Sequence, residues 1–135
     1  HKFSLITIFD SMLNMCFKQV HEYGLDSHLA SVRAVNIPVL ELLNDLNFTY
    51  KKILKLGEKI VEEDRAEAIL FGCMTMSFAG LDKKLQDKLG VPVLNAGRVG
   101  LKAAESFLSM DLSHSKRAYP FPAKLKNKKI NKKKA

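Results

Sequence analysis

The segment Gly72-Cys73-Met74-Thr75-Met76 combines residue types that could do chemistry. It follows a short apolar run, Ala68-Ile69-Leu70-Phe71, of the kind buried on both faces of a parallel sheet. A helix marked by Phe78, Leu81, Leu85 and Leu89 comes after it. A thiol between a strand and a helix start meets the partial positive charge of exposed N–H groups, which favours the reactive thiolate. Gly72 leaves room for a ligand or a tight turn. The N–H groups of Met74 and Thr75 could hold a carboxylate or an enolate oxygen. The plainer alternative is that Cys73 is a small buried residue ending a strand, since free cysteine packs as a hydrophobe. Cys16, on the apolar stripe of an earlier helix, reads as a packing residue.

Other candidates carry less. Thr7, beside Phe9 at the end of the first strand, could bond a ligand, although β-branched residues are ordinary there. Asn95 reads as a helix cap rather than a ligand contact. Arg33, inside the second strand, calls for an internal ion pair. His1, His21, His28 and His114 are scattered, and two distant cysteines make no zinc site. Neither a P-loop nor a dinucleotide fingerprint is present, and no metal or cofactor is expected.

Alternating elements must position these residues. Phe3 to Phe9 reads as a buried strand. Residues 11–23 read as a helix with Leu13, Cys16, Phe17 and Val20 on one face, capped by Asp10 or Ser11 and stopped by Gly24. Leu29 to Ile37 is a second strand, closed by Pro38. Residues 46–64 form a helix whose apolar face holds Tyr50, Ile53, Leu54, Gly57 and Ile60. A third helix runs from Phe78 to Leu89, a fourth strand from Val91 to Leu94, and a fourth helix from about Val99 to Met110. Strand and helix alternate four times. That order implies parallel strands, right-handed crossovers and helices on both faces. The expected class is α/β: a three-layer α/β/α, flavodoxin-like domain with a four-stranded parallel sheet. Ligands of such sheets bind at the carboxyl ends of the strands. Those ends are Thr7 to Asp10, Asn36 to Val39, Gly72 to Thr75, and Asn95 to Gly97.

Composition bounds the function. A length of 135 residues suits one domain, and 47% hydrophobic with 27% charged residues is ordinary globular usage. The net charge of +8 suggests a nucleic-acid or membrane binder until it is located. Nine basic residues and no acidic one lie from Lys116 onward, while residues 1–115 hold 13 basic and 14 acidic side chains, a net of −1. We therefore expect one α/β domain over residues 1–115 and a basic, largely disordered tail over 116–135. Such a tail could be a loose tether for RNA or anionic lipid, but a near-neutral body disfavours nucleic acid as the main partner. No apolar run approaches the roughly 20 residues of a membrane span, and no secretory signal is recognisable. A cytoplasmic protein is expected.

Several segments resemble one family. They are Ala30-Ser31-Val32-Arg33-Ala34, Ile37-Pro38-Val39-Leu40, Glu67 to Met76 and Leu89-Gly90-Val91-Pro92-Val93, with Leu112 to Pro122 near the end. Together they are similar to the second half of hydantoin racemases, within the aspartate/glutamate racemase superfamily. The resemblance covers about residues 2–122, and the lysine-rich stretch after Pro122 has no counterpart in it. It implies a cofactor-independent racemase with two α/β domains facing a cleft and one cysteine from each beside the chiral carbon. One cysteine takes the proton as thiolate, and the other returns a proton from the opposite face. The implied substrate is a 5-substituted hydantoin, allantoin or a related amino-acid derivative. Cys73 matches the family's second cysteine. Thr7 and Phe9 fall where the family lines the cleft, and Gly72, Met74 and Thr75 flank the thiol as substrate contacts. The first cysteine belongs to an upstream domain that this sequence does not contain. The chain is accordingly expected to be inactive alone, and to associate with itself or with a missing N-terminal half. The alternatives are a decarboxylase or cis–trans isomerase of the same superfamily, or a non-catalytic binding module that uses the basic tail.

Overall fold

The computed structural model describes residues 1–122, so the tail expected over 116–135 lies outside the described residues from position 123 on. The chain divides into two compact units, residues 1–101 and a second unit that begins at Lys102.

Four strands, β1 (Phe3–Thr7), β2 (Leu29–Ala34), β3 (Ala68–Phe71) and β4 (Val93–Leu94), form one sheet in the order β2-β1-β3-β4. Every neighbouring pair is parallel. The expected α/β class and four-stranded parallel sheet are thus observed. The helices are α1 (Leu13–Glu22), α2 (Leu46–Glu62), α3 (Met74–Phe78), α4 (Asp82–Leu89) and α5 (Ala96–Ser109).

Side chains of a strand alternate between its faces, and here the alternation separates two apolar clusters. Leu5 joins Val32 and Cys16, the last contributed by α1. Ile6 joins Ile69, Phe71 and Val93, together with Ile53 and Ile60 of α2 and Leu85 of α4. Helices therefore cover both faces of the sheet. Ile53 and Ile60 are fully buried, and each contributes about 2 kcal/mol through burial. Asp45 starts α2, its carboxylate accepting the N–H groups of Asn47 and Phe48 at 2.9 Å each. Gly90, with φ of +70°, ends α4 in the left-handed conformation.

Some boundaries differ from expectation for identifiable reasons. Neither Asp10 nor Ser11 caps α1. A 3-10 turn over Asp10–Met12 leads into the helix, and the Asp10 carboxylate instead accepts from Asn36 Nδ2 at 2.9 Å. The helix expected from Phe78 to Leu89 starts only at Asp82, as α4, and Phe78 instead closes the short α3. Gly80, with φ of +66°, interrupts the right-handed path, and Phe78 is left 76% exposed. Strand β1 ends at Thr7 and β2 at Ala34, short of Phe9 and Ile37. Pairing nevertheless persists, since the Val35 and Asn36 N–H groups donate to the Thr7 and Ile8 carbonyls at 3.0 and 2.8 Å.

Helix α5 has no buried residue: its expected apolar stripe, Val99, Phe107 and Leu108 among them, is exposed. Within the second unit, Asp111 takes φ of +55° and the Leu112 N–H returns to the Phe107 carbonyl at 2.8 Å, which ends the helix.

Arg33 makes the internal ion pair its position called for. Its guanidinium donates to both carboxylate oxygens of Asp64 at 2.6 Å and to Glu63 at 3.0 Å. Ser31 Oγ also donates to Asp64 at 2.6 Å, and it lies 2.8 Å from Ser4 Oγ. The network ties β1 and β2 to the end of α2. Hydrogen bonding from Arg33 holds the Asp64 carboxyl below its ordinary range despite the opposing effect of burial, and the same pair raises Arg33. A depressed carboxyl contributes stability above its unfolded value and loses it as pH falls through the folded value. Asp64→Asn should therefore lower stability by about 2 kcal/mol at pH 7 in urea unfolding. The gap between variant and parent should shrink as pH falls below the ordinary carboxylate range and through the lower folded value.

Candidate active site

Strands β1 and β3 are central neighbours, with Ile6 beside Phe71. The chain leaves β1 toward β2 on one side and β3 toward β4 on the other. A reversal of this kind opens a crevice beyond the carboxyl ends of the two strands. Extending the register places Thr7 beside Gly72 and Ile8 beside Cys73, so the two chain segments singled out by sequence meet here.

Cys73 is the N-cap residue of α3, with extended backbone (φ −131°, ψ 130°). It is a half-buried free thiol, and its side chain makes no capping bond. Its carbonyl accepts the N–H groups of Met76 and Ser77 at 3.1 and 3.4 Å. The N–H groups of Met74 and Thr75, one turn too early for an intrahelical acceptor, have no partner among the described residues. Met74 and Phe9 are exposed at 49% and 38%. An unpaired thiol, two free donors and two apolar side chains thus share this edge.

Gly72 makes the close approach possible. Its N–H donates to the Ile6 carbonyl at 2.9 Å. A Cβ there would stand 2.6 Å from Leu5 Cδ2 and 3.2 Å from that carbonyl. Thr7 differs from expectation in orientation. It is buried, and its hydroxyl faces the Met12 sulfur at 3.9 Å instead of opening to solvent. Cys16 is buried under α1 as a packing residue.

Two polar clamps brace the edge. Asn36, in the left-handed region at φ 53°, exchanges bonds with Asp10: its Oδ1 accepts the Asp10 N–H at 3.2 Å, and its amide donates to the carboxylate. The one sign of this pair in the sequence is the asparagine itself, the residue type that most readily takes this backbone region after Gly. On the other side, Asn95 Oδ1 accepts the Arg98 N–H at 3.1 Å, as expected of a cap. Its amide donates to the Ser77 carbonyl and to buried Asp82, whose other oxygen receives Arg98 at 2.8 Å. Among the described residues, no three His, Cys, Asp or Glu side chains gather as a metal site.

The profile of the family described as Asp/Glu/Hydantoin racemase matches residues 1–104. The chain belongs to this family. It is 32% identical to the hydantoin racemase of Pseudomonas sp. strain NS671 over 91% of this chain and 49% of that protein. To the hydantoin racemase of Rhizobium meliloti it is 36% identical over 90% of this chain and 50% of that one. The fold superposes on allantoin racemase from Pseudomonas fluorescens with a TM-score of 0.77 at 35% identity, covering 91% of this chain and 52% of that structure. Allantoin racemase from Klebsiella pneumoniae gives 0.78 at 30% identity, over 85% and 46%. This racemase-family chain spans about half the length of the curated relatives it matches.

Within the racemase-family domain, Gly72 is a position where size is tested directly. Gly72→Ala should destabilise by about 1–3 kcal/mol, because buried Leu5 and a strand carbonyl cannot both yield. Gly100→Ala, in α5 with nothing within 4 Å of its new Cβ, should instead stabilise by about 0.5–1 kcal/mol through helix propensity. Thermal unfolding of the two variants beside the parent checks the contrast.

Proposed function

We propose that this chain supplies one wall and one acid/base of a cofactor-independent racemase acting on hydantoins, allantoin or a related amino-acid derivative. The observation that carries the reading is the half-buried Cys73 thiol at the β1/β3 reversal, beside the free N–H groups of Met74 and Thr75. As thiolate, Cys73 takes the proton from the carbon next to a carbonyl, and the C–H electron pair moves onto the carbonyl oxygen. An enolate results, and N–H donors stabilise charge of that kind. A second thiol then protonates the opposite face and the carbonyl re-forms. In the reverse direction the two sulfurs exchange roles. Gly72, Met74, Thr75 and Phe9 are the proposed substrate contacts. Thr7 supports the floor beneath them and reaches substrate only if Met12 moves aside.

The second thiol must come from elsewhere. Cys16 is buried in the α1 cluster, and the relatives are about twice as long as this chain. The matched relatives are racemases by description, which favours proton transfer over decarboxylation or cis–trans isomerisation. Free Cys16 and Cys73 suit a reducing, cytoplasmic setting. In the described residues, no helix is long and apolar enough to cross a membrane.

Complementation tests the proposal. Incubated alone with one enantiomer of a 5-substituted hydantoin, the purified chain should leave optical rotation unchanged. Mixed with the N-terminal half of a hydantoin racemase, it should restore loss of rotation. Cys73→Ser should reduce that rate by roughly a hundredfold or more, since a hydroxyl is a far weaker acid than a thiol. Full activity in the serine variant, or rapid racemisation by the chain alone, would overturn the reading.

A further inference from the structure

Helix α2 carries Lys51, Lys55 and Lys59 one turn apart, with Lys52 beside them. These four side chains line an open groove of about 360 Å³. Its floor is apolar: Ala34 and Val35 come from β2 and the residue after it, Phe48 and Leu56 from the helix. All four lysines are exposed. Among the described residues none of them forms a salt bridge, and the one close partner is the Phe48 ring, 5.5 Å from Lys52 Nζ. The groove runs beside the outer edge of the sheet. Strand β2 pairs with β1 alone, so its far side is open to another strand.

We propose that this groove binds an extended acidic segment of a partner protein, added as a strand on β2 with alternate carboxylates against the lysine row. Three physical features match that occupant. The open edge recognises a peptide backbone through main-chain hydrogen bonds. Lysines four residues apart on a helix are about 6 Å apart along its axis. Alternate side chains of a strand repeat at about 6.6 Å on one face, so several carboxylates meet several lysines in step. The apolar floor then packs against the methylene stems of those acidic side chains.

The same features disfavour other occupants. Two copies of this edge would bring like-charged lysine rows together. Nucleic acid offers no amide to the strand edge, and single-strand binding without sequence preference leans on several stacked aromatics, whereas among the described residues the groove has only Phe48. Lysines often guard an edge against pairing. Here, however, they stand on the neighbouring helix, and β2 itself carries neither lysine nor proline.

Fluorescence anisotropy with the full chain tests the proposal. The probe is a labelled ten-residue peptide alternating Glu with Val and Thr, titrated in moderate salt. Saturable binding is expected, weakened roughly tenfold by the triple substitution Lys51→Gln, Lys55→Gln and Lys59→Gln. Substituting Lys126, Lys128 and Lys129 by Gln should shift it less than about twofold, which separates the groove from the basic C-terminal stretch. N-methylation of alternate peptide amides should also weaken binding roughly tenfold, because the edge loses its acceptor–donor ladder. The proposal is overturned by no saturable binding, by an equal effect of the C-terminal substitutions, or by indifference to N-methylation. Equal affinity for an oligothymidylate of matched charge would replace the peptide with nucleic acid.

Discussion

The close contact between β1 and β3 is the constraint on which the rest depends. Parallel strands cannot be joined by a tight turn, so pairing them requires each to be followed by a crossover. The crossovers leave in opposite directions from the centre of the sheet. Ile6 and Phe71 share one face of the pair, Leu5 and Leu70 the other. Where the pair ends, Gly72 continues the ladder to Ile6 with no side chain of its own. That missing Cβ lets the chain turn at once into Cys73 and α3. A bulkier residue would push this turn away from β1, and the thiol with it.

Around this centre, polar side chains do what the short strands cannot. Strand β4 is two residues long and α3 is five, too little for either to be held by its own hydrogen bonds. Asn95 compensates by joining the Ser77 carbonyl to the Arg98 N–H, with Asp82 and the Arg98 guanidinium completing a charge-paired cluster. The Asp10–Asn36 exchange performs the same task at the ends of β1 and β2. The Arg33–Asp64 pair anchors the close of α2 to β2. These contacts are specific in geometry, so they fix where the loops run without adding much apolar area.

Helix α5, in contrast, has no buried residue among those described. A helix whose apolar side chains are more than half exposed cannot be explained by local stability alone, since isolated helices of this length are marginal in water. The chain spans about half the length of the curated relatives it matches.

The class of the domain was legible in the sequence because it rests on period and order. Alternating short apolar runs and amphipathic helices admit few arrangements other than a parallel sheet with covered faces. The place of Cys73 was legible for a related reason: it lies between a short apolar run and a helix, which puts it at a strand end. The Asn95 cap and the need to pair Arg33 followed from side-chain type alone. What sequence could not decide was which strands adjoin, where Thr7 points, and that Asp10 would leave the helix start to hold Asn36. Apolar spacing also starts α4 too early, at Phe78, because it carries across a break that only the φ of Gly80 reveals. These depend on long-range partners, and periodicity records only which residues need burial. Which groups bury one another, and which surfaces stay open, is settled when distant segments compete for the same space.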